Sequence, residues 1–337
     1  MHRLTRLAVP LAFAFVACEA RAPTDAAGSS SSSASSSASS DEAASGTAST
    51  SASSSSSSGT TGSGGQGPLP FEPCKSCKKP EKNGVIASEE LQEISGIAAS
   101  AVHAGTYFVH NDSGDSPRFF AIDSAGQTLA TYDVDGAFAV DWEDAASGPC
   151  PLGHCLYFGD IGDNNEQRTS YAVYRVTEPL AIAAGTHNVA AETLTFSYPD
   201  GSHNAETLLV HPSTGEIVIV TKVASGPAPM YRFPMPLTPG SPVVLEKLGA
   251  VAPHGLVPRI TGGSIHPNAS GILLRTYTGL GYYPLGDSIA AALSGIPCDV
   301  PVAIEVQGES VAWTAAGDGY VTIAEGKSAP VNIVHCP

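Results

Sequence analysis

Basic side chains are scarce in this 337-residue chain: 16 Lys and Arg stand against 32 Asp and Glu, giving a formal charge of −16 and a pI near 4.9. A surface of that sign repels phosphate backbones and anionic bilayers, which excludes a nucleic-acid binder. Charged residues make up only 14% of the chain, which excludes a coiled coil or a helical bundle. Tryptophan is nearly absent: Trp142 and Trp313 are the two present, both inside strand-like runs. A glycosidase would therefore have few rings on which to stack a sugar. No Ser-His-Asp pattern or phosphate-cradling P-loop occurs, so serine hydrolases and P-loop ATPases find no support. The N-terminal apolar run, Leu7 to Ala17, is too short for a comfortable transmembrane helix. What is plentiful is glycine (35) and proline (26), about 18% together against an average of roughly 12%. With short β-branched and aromatic runs between them, they describe a turn-rich all-β protein.

The first residues, MHRLTRLAVPLAFAFVAC, have the charged-then-apolar layout of an export signal. Val16-Ala17-Cys18 resembles the lipobox of bacterial lipoproteins, whose cysteine is acylated; Phe15 departs from the usual leucine, and an ordinary secretory signal is the alternative. The expected organisation is a lipoprotein-type signal peptide over 1–18, a disordered Ser/Ala/Gly-rich tether over 19–69 and a folded domain over 70–337. The tether holds too little apolar side chain to offset the entropy of ordering. As a flexible linker it spans about 35–40 Å r.m.s.. This places the protein at the cell envelope, lipid-anchored on its periplasmic or outer side and monomeric. Apart from Cys18 there are six cysteines, an even number suited to an oxidising compartment. In sequence they group as Cys74/Cys77, Cys150/Cys155 and Cys298/Cys336. Zinc held by Cys74, Cys77, Cys150 and Cys155 is the competing reading.

One pattern recurs five times. Strand-like segments follow Ser95, Glu143, Glu206, Gly262 and Glu309, at spacings of 48, 63, 56 and 47 residues. A second β-rich run follows each: TYFVHN, LYFGDI, EIVIVTK, GILLRTY and GYVTIAEG. Four strands every 45 to 60 residues is the blade of a β-propeller. Five blades are expected, with six as the alternative and a two-sheet sandwich explaining the spacing less well; GVIAS (Gly84–Ser88) is the candidate closing strand.

In a propeller the starts of the first strands and the ends of the second converge on one mouth. Ser95, Glu143, Glu206, Thr261 (or Ser264) and Glu309 then point at the axis. Three carboxylates in so narrow a space repel one another unless a cation compensates, and oxygen donors around an axis suit calcium. Acids that merely bind water or backbone amides are the alternative. The second set comprises Asp112, Asp163, Lys222, Arg275 and Glu325, with Arg118 and Arg168 in nearby loops. Only nine Lys and Arg fall between residues 85 and 337. Lys222 and Arg275 read as equivalent positions, so Arg118, Arg168, Lys222 and Arg275 would bind a small anionic ligand.

SGIAAS, VHNDSGD, DWEDAA, LYFGDIGDN, AETLLVHP, VTK, LRTY and GESVAWT, in that order, resemble a family of exported bacterial β-propeller proteins without a well-defined activity, over residues 85 to 326. More distantly, the chain is similar to the calcium-activated apyrases, five-bladed soluble nucleotidases. That likeness implies one axial calcium held by Ser95, Glu143, Thr261, Glu206 and Glu309, and basic residues that take nucleotide phosphates. The chain departs from the apyrase pattern at Asn111-Asp112-Ser113-Gly114, which has no Arg after the acid, and at Lys222, which stands alone where paired arginines are expected. Two functions follow. One is a calcium-dependent phosphoester or phosphoanhydride hydrolase with Asp112 or Asp163 as base. The other is a non-catalytic surface lipoprotein that binds a ligand or an envelope protein.

Overall fold

Short apolar runs separated by glycine-bearing turns can only pair with their neighbours, and hairpins dominate the result. Between the first two strands of their repeats, Gly215 and Gly317 adopt φ of 70° and 73°, left-handed values that favour glycine. The computed structural model describes residues 71–252, 255, 257 and 259–337; the signal peptide, Cys18 and the whole tether region lie outside these residues. Among the described residues no helix is long and apolar enough to cross a membrane.

The chain is all-β. A helical turn α1 (Pro73–Ser76) and strand β1 (Glu81–Val85) precede a run of β2 (Ile94–Ala99), β3 (Thr106–Asn111), β4 (Arg118–Asp123) and β5 (Thr128–Asp135). The second run is β6 (Trp142–Cys150), β7 (Gly153–Asp160), β8 (Tyr171–Thr177) and β9 (Thr186–Ser197). The third is β10 (Ala205–Val210), β11 (Ile217–Thr221) and β12 (Ala228–Arg232), then the two-residue β13 (Val243–Val244) and β14 (Glu246–Val251). The fourth is β15 (Ile260–Ile265), β16 (Gly271–Thr276), β17 (Leu280–Pro284), helix α2 (Ile289–Leu293) and β18 (Cys298–Asp299). The last is β19 (Gly308–Trp313), β20 (Gly319–Ala324) and β21 (Pro330–His335). Strands pair antiparallel in chain order within each run, β13 excepted. β5 and β9 pair in parallel, and β13 adds to β9, so the first two runs share one nine-stranded sheet. β1 pairs with β21, so the N-terminal strand completes the last sheet, a few residues earlier than GVIAS.

The first strands are neighbours in a closed cycle: β2 lies beside β6, β6 beside β10, β10 beside β15, β15 beside β19, and β19 beside β2. Apolar side chains fill the spaces between successive sheets. Phe119, Trp142 and Phe158 stack between the first and second runs, and Leu273, Trp313 and Tyr320 pack together between the fourth and last. Asp144, fully buried, ties three of the inner strands. Its carboxylate accepts N–H groups from Ala145 (2.8 Å), from Leu208 of β10 (2.9 Å) and from Gly263 of β15 (3.3 Å).

All six cysteines of the domain are in disulfides, but two of the three pairings differ from their sequence grouping: Cys74 joins Cys298 and Cys77 joins Cys336, while Cys150 joins Cys155. The turn α1 lies against the fourth and last sheets, so each of its cysteines meets one from a different sheet. This overturns zinc binding by Cys74, Cys77, Cys150 and Cys155. The long bridges span 224 and 259 residues and the short one 5. Loop-closure entropy assigns about 5 kcal/mol to a long loop and about 2 kcal/mol to the short one. The two long bridges close nearly the same loop, so either alone supplies most of that effect. Removing one long bridge by Cys→Ala pairs is expected to lower Tm slightly; removing both should lower it by more than the sum. Calorimetry showing additive losses would contradict the shared loop.

Candidate metal centre

Every first strand is irregular near its start. The register shifts between Ile94 and Gly96, Trp142 and Asp144, Ala205 and Thr207, Ile260 and Gly262, and Gly308 and Ser310. The residue skipped is Ser95, Glu143, Glu206, Thr261 and Glu309 in turn. A bulge re-aims the side chain of its extra residue, and these five are the residues that the sequence marks at the starts of the first strands. Thr261, not Gly262 or Ser264, is the fourth member; its hydroxyl donates to the Gly308 carbonyl at 2.8 Å. Ser264 lies further along β15, where its Oγ accepts the Trp313 N–H at 3.1 Å.

The same registers align the second strands. Asn111, Asp160, Thr221, Thr276 and Ala324 face the residues before the bulges, so the next residues form a second ring: Asp112, Ile161, Lys222, Tyr277 and Glu325. Lys222 is therefore equivalent to Tyr277, and its expected equivalence to Arg275 is corrected. The two rings meet in pairs. The Lys222 ammonium is ion-paired with Glu206 Oε1 and lies 5.0 Å from the Tyr277 ring centre. Glu309 and Glu325 lie near enough that the charge of Glu325 helps raise the Glu309 carboxyl.

Three carboxylates converge beside these rings. One oxygen each from Asp112, Asp141 and Glu143 lies within 4.8 Å of the others. Glu143 Oε2 also accepts the Ser95 hydroxyl at 3.3 Å, and buried Glu206 keeps Oε2 without a hydrogen-bond partner. Asp141 and Gly162 are the residues that sequence reasoning missed. Asp141 stands just ahead of β6, two residues before Glu143, and the bulge at Glu143 brings the two carboxylates together. Gly162 packs so closely that a Cβ there would overlap Glu143 Oε1 and Asp141 Oδ2.

The electrostatics follow from this crowding. Burial raises Asp141 to about 6, with the Asp112 charge adding to it. Burial, then the charges of Glu206, Asp112 and Asp141, holds Glu143 well above the carboxylate range. Glu206 rises to about 7 through burial, opposed by Lys222, and Glu309 to about 9 through burial and the Glu206 charge. Asp112 and Glu325 are also raised, chiefly by burial. The folded chain thus keeps protons that the unfolded chain releases, and its stability falls as pH climbs from about 4.5 towards 9. In chelator, Tm at pH 8 is expected below that at pH 5; an equal or higher Tm would show these groups to be solvated.

The other cations predicted to bind an anion are committed elsewhere. Arg118 pairs with Asp115 at 3.0 Å and with Glu90. Arg168 holds Asp160 at 2.8 Å and the Gly162 carbonyl at 2.7 Å, bracing the loop that carries Gly162. Arg275 is buried between the fourth and last sheets, pairs with Glu305, and donates to the Ser310 carbonyl at 3.2 Å. Asp163 accepts N–H groups from Gln167 (3.0 Å) and Arg168 (2.7 Å) and the Tyr171 hydroxyl (2.8 Å). Although burial opposes it, these bonds hold Asp163 below its ordinary value, and it shapes its loop. Of the predicted anion-binding cations, Lys222 alone pairs with one of the five bulge residues. A scan against protein-family models and a search of curated proteins each find no match for this chain.

Proposed function

We propose that the five strand runs are the blades of a β-propeller, closed by β1, and that its acidic mouth binds a divalent cation. The observation that carries this reading is the convergence of Asp112, Asp141 and Glu143, with buried Glu206, whose charge acts on Glu143, keeping one oxygen unpartnered. Carboxylates pressed together out of water favour a compensating cation over mutual repulsion. An all-oxygen set with the Ser95 hydroxyl at its edge suits calcium, which accepts six to eight oxygens, better than softer metals. In this reading Glu206 is shared between the metal and Lys222, while the Thr261 hydroxyl is turned to the Gly308 carbonyl. The chain acts as an exported, lipid-tethered binding module, anchored through Cys18. Binding is favoured over phosphoester hydrolysis because three of the four cations needed to offset phosphate charge are paired elsewhere and Asp163 is not free to act as a base.

Calcium at about 100 times its Kd is expected to stabilise the domain by about 2.7 kcal/mol over chelator and to release protons near pH 7, since the raised carboxyls must ionise to bind it. Asp141→Asn and Gly162→Ala should each remove most of that gain without unfolding the protein. Identical unfolding curves in calcium and chelator, with no heat on titration, would overturn the reading.

A further inference from the structure

Two stretches of chain lead into the acidic end of the inner strands, and both present apolar side chains to solvent. Ahead of Asp141, Phe138 is 74% and Val140 56% exposed. Ahead of Glu309, Ile304 and Val306 are almost wholly exposed. Isolated exposed aliphatics need no explanation, but these segments are held in place. The Phe138 N–H donates to the Tyr174 hydroxyl at 3.1 Å, and its carbonyl accepts the Trp142 indole N–H at 2.8 Å. Between Ile304 and Val306, Glu305 is turned inward onto Arg275, Thr322 (3.0 Å) and Asn332 (2.5 Å). Apolar side chains on a backbone fixed in advance lose little entropy when covered.

Between them, among the described residues, the mouth carries Asp112, Asp141, Glu143, Glu206, Glu309 and Glu325 against the one ammonium of Lys222. That ammonium shows what the well accepts: a primary amine on one oxygen of Glu206, beside the Tyr277 ring. The other oxygen of Glu206, a residue only 3% exposed, has no partner. Charge complementarity selects a basic occupant, and the rim selects one with apolar neighbours.

We infer that the mouth docks a polypeptide segment in which a lysine or arginine enters the acidic well while flanking apolar side chains cover Phe138 and Val140 on one side and Ile304 and Val306 on another. An anionic bilayer is disfavoured because the carboxylates repel it. The inference uses the same well as the cation reading and makes calcium a competitor of the peptide.

The test is fluorescence anisotropy on the full chain in chelator, with two labelled peptides of equal charge, one alternating leucine and lysine, the other serine and lysine. The leucine peptide should bind at least about tenfold tighter, a difference worth about 1.4 kcal/mol. Phe138→Ser combined with Ile304→Ser, checked for unchanged Tm, should erase that advantage and leave the serine peptide's affinity as it was. Equal affinity for both peptides, an unaltered advantage in the rim variant, or recruitment to phosphatidylglycerol vesicles in place of peptide binding would each overturn the inference. If calcium raises Tm but the leucine peptide does not bind, the docking inference alone fails. If the peptide binds and calcium neither raises Tm nor displaces it, the cation reading alone fails.

Discussion

Asp144→Ala is expected to destabilise the domain by about 5 kcal/mol, because three buried N–H groups lose their acceptor at about 1–3 kcal/mol each. The donors belong to Ala145, Leu208 and Gly263, so the loss falls on β6, β10 and β15 together. Asp144→Asn keeps one acceptor oxygen but points an amide at a remaining donor, and should lie between wild type and alanine. Burial also raises the Asp144 carboxyl well above its usual value, partly offset by those three N–H bonds. Urea unfolding measures both variants. A loss below about 1 kcal/mol for alanine, with an unchanged m-value, would mean that water or another group replaces the carboxylate.

Glu305→Ala should cost about 3–5 kcal/mol, the penalty of leaving a buried charge without its partner. Arg275 would keep the Ser310 carbonyl, while Thr322 and Asn332 would lose their shared acceptor. Adding Arg275→Met to Glu305→Ala should restore much of the loss, because the uncompensated guanidinium is then gone. Gly308 is part of the same arrangement, since a Cβ there would overlap the Arg275 guanidinium. Calcium affinity should be unchanged in the double variant. A double-mutant cycle with no coupling between the two positions would contradict the pair; a weakened calcium response would instead return Arg275 to the mouth.

Much of the inner architecture was legible because it repeats. A small or acidic residue ahead of each apolar run marks Ser95, Glu143, Glu206 and Glu309, and all four are bulge residues. The bulge itself could not be read, since it depends on the partner strand's register. That is why Gly262 aligned the fourth repeat while Thr261 occupies the position. Arg275 was misplaced for the same reason: two residues along β16 separate the mouth, at Tyr277, from the space between sheets. Asp141 was visible in the Asp-Trp-Glu triplet but stood just ahead of the strand that carries the residue chosen. Gly162 carries no side-chain signal, and its role exists only because the β7–β8 loop folds back onto β6. The disulfides were countable but not pairable, because sequence proximity says nothing about α1 lying across two sheets formed at the far end of the chain.

The same turn has a mechanical consequence. A load arriving from residues before Phe71 passes at Cys74 and Cys77 into covalent bonds with Cys298 and Cys336. It therefore enters the fourth and last sheets before it reaches β1, whose hydrogen bonds to β21 complete the last sheet. In the oxidised protein the seam between the two ends of the chain is shielded from peeling. After reduction, the same pull would act on that seam first.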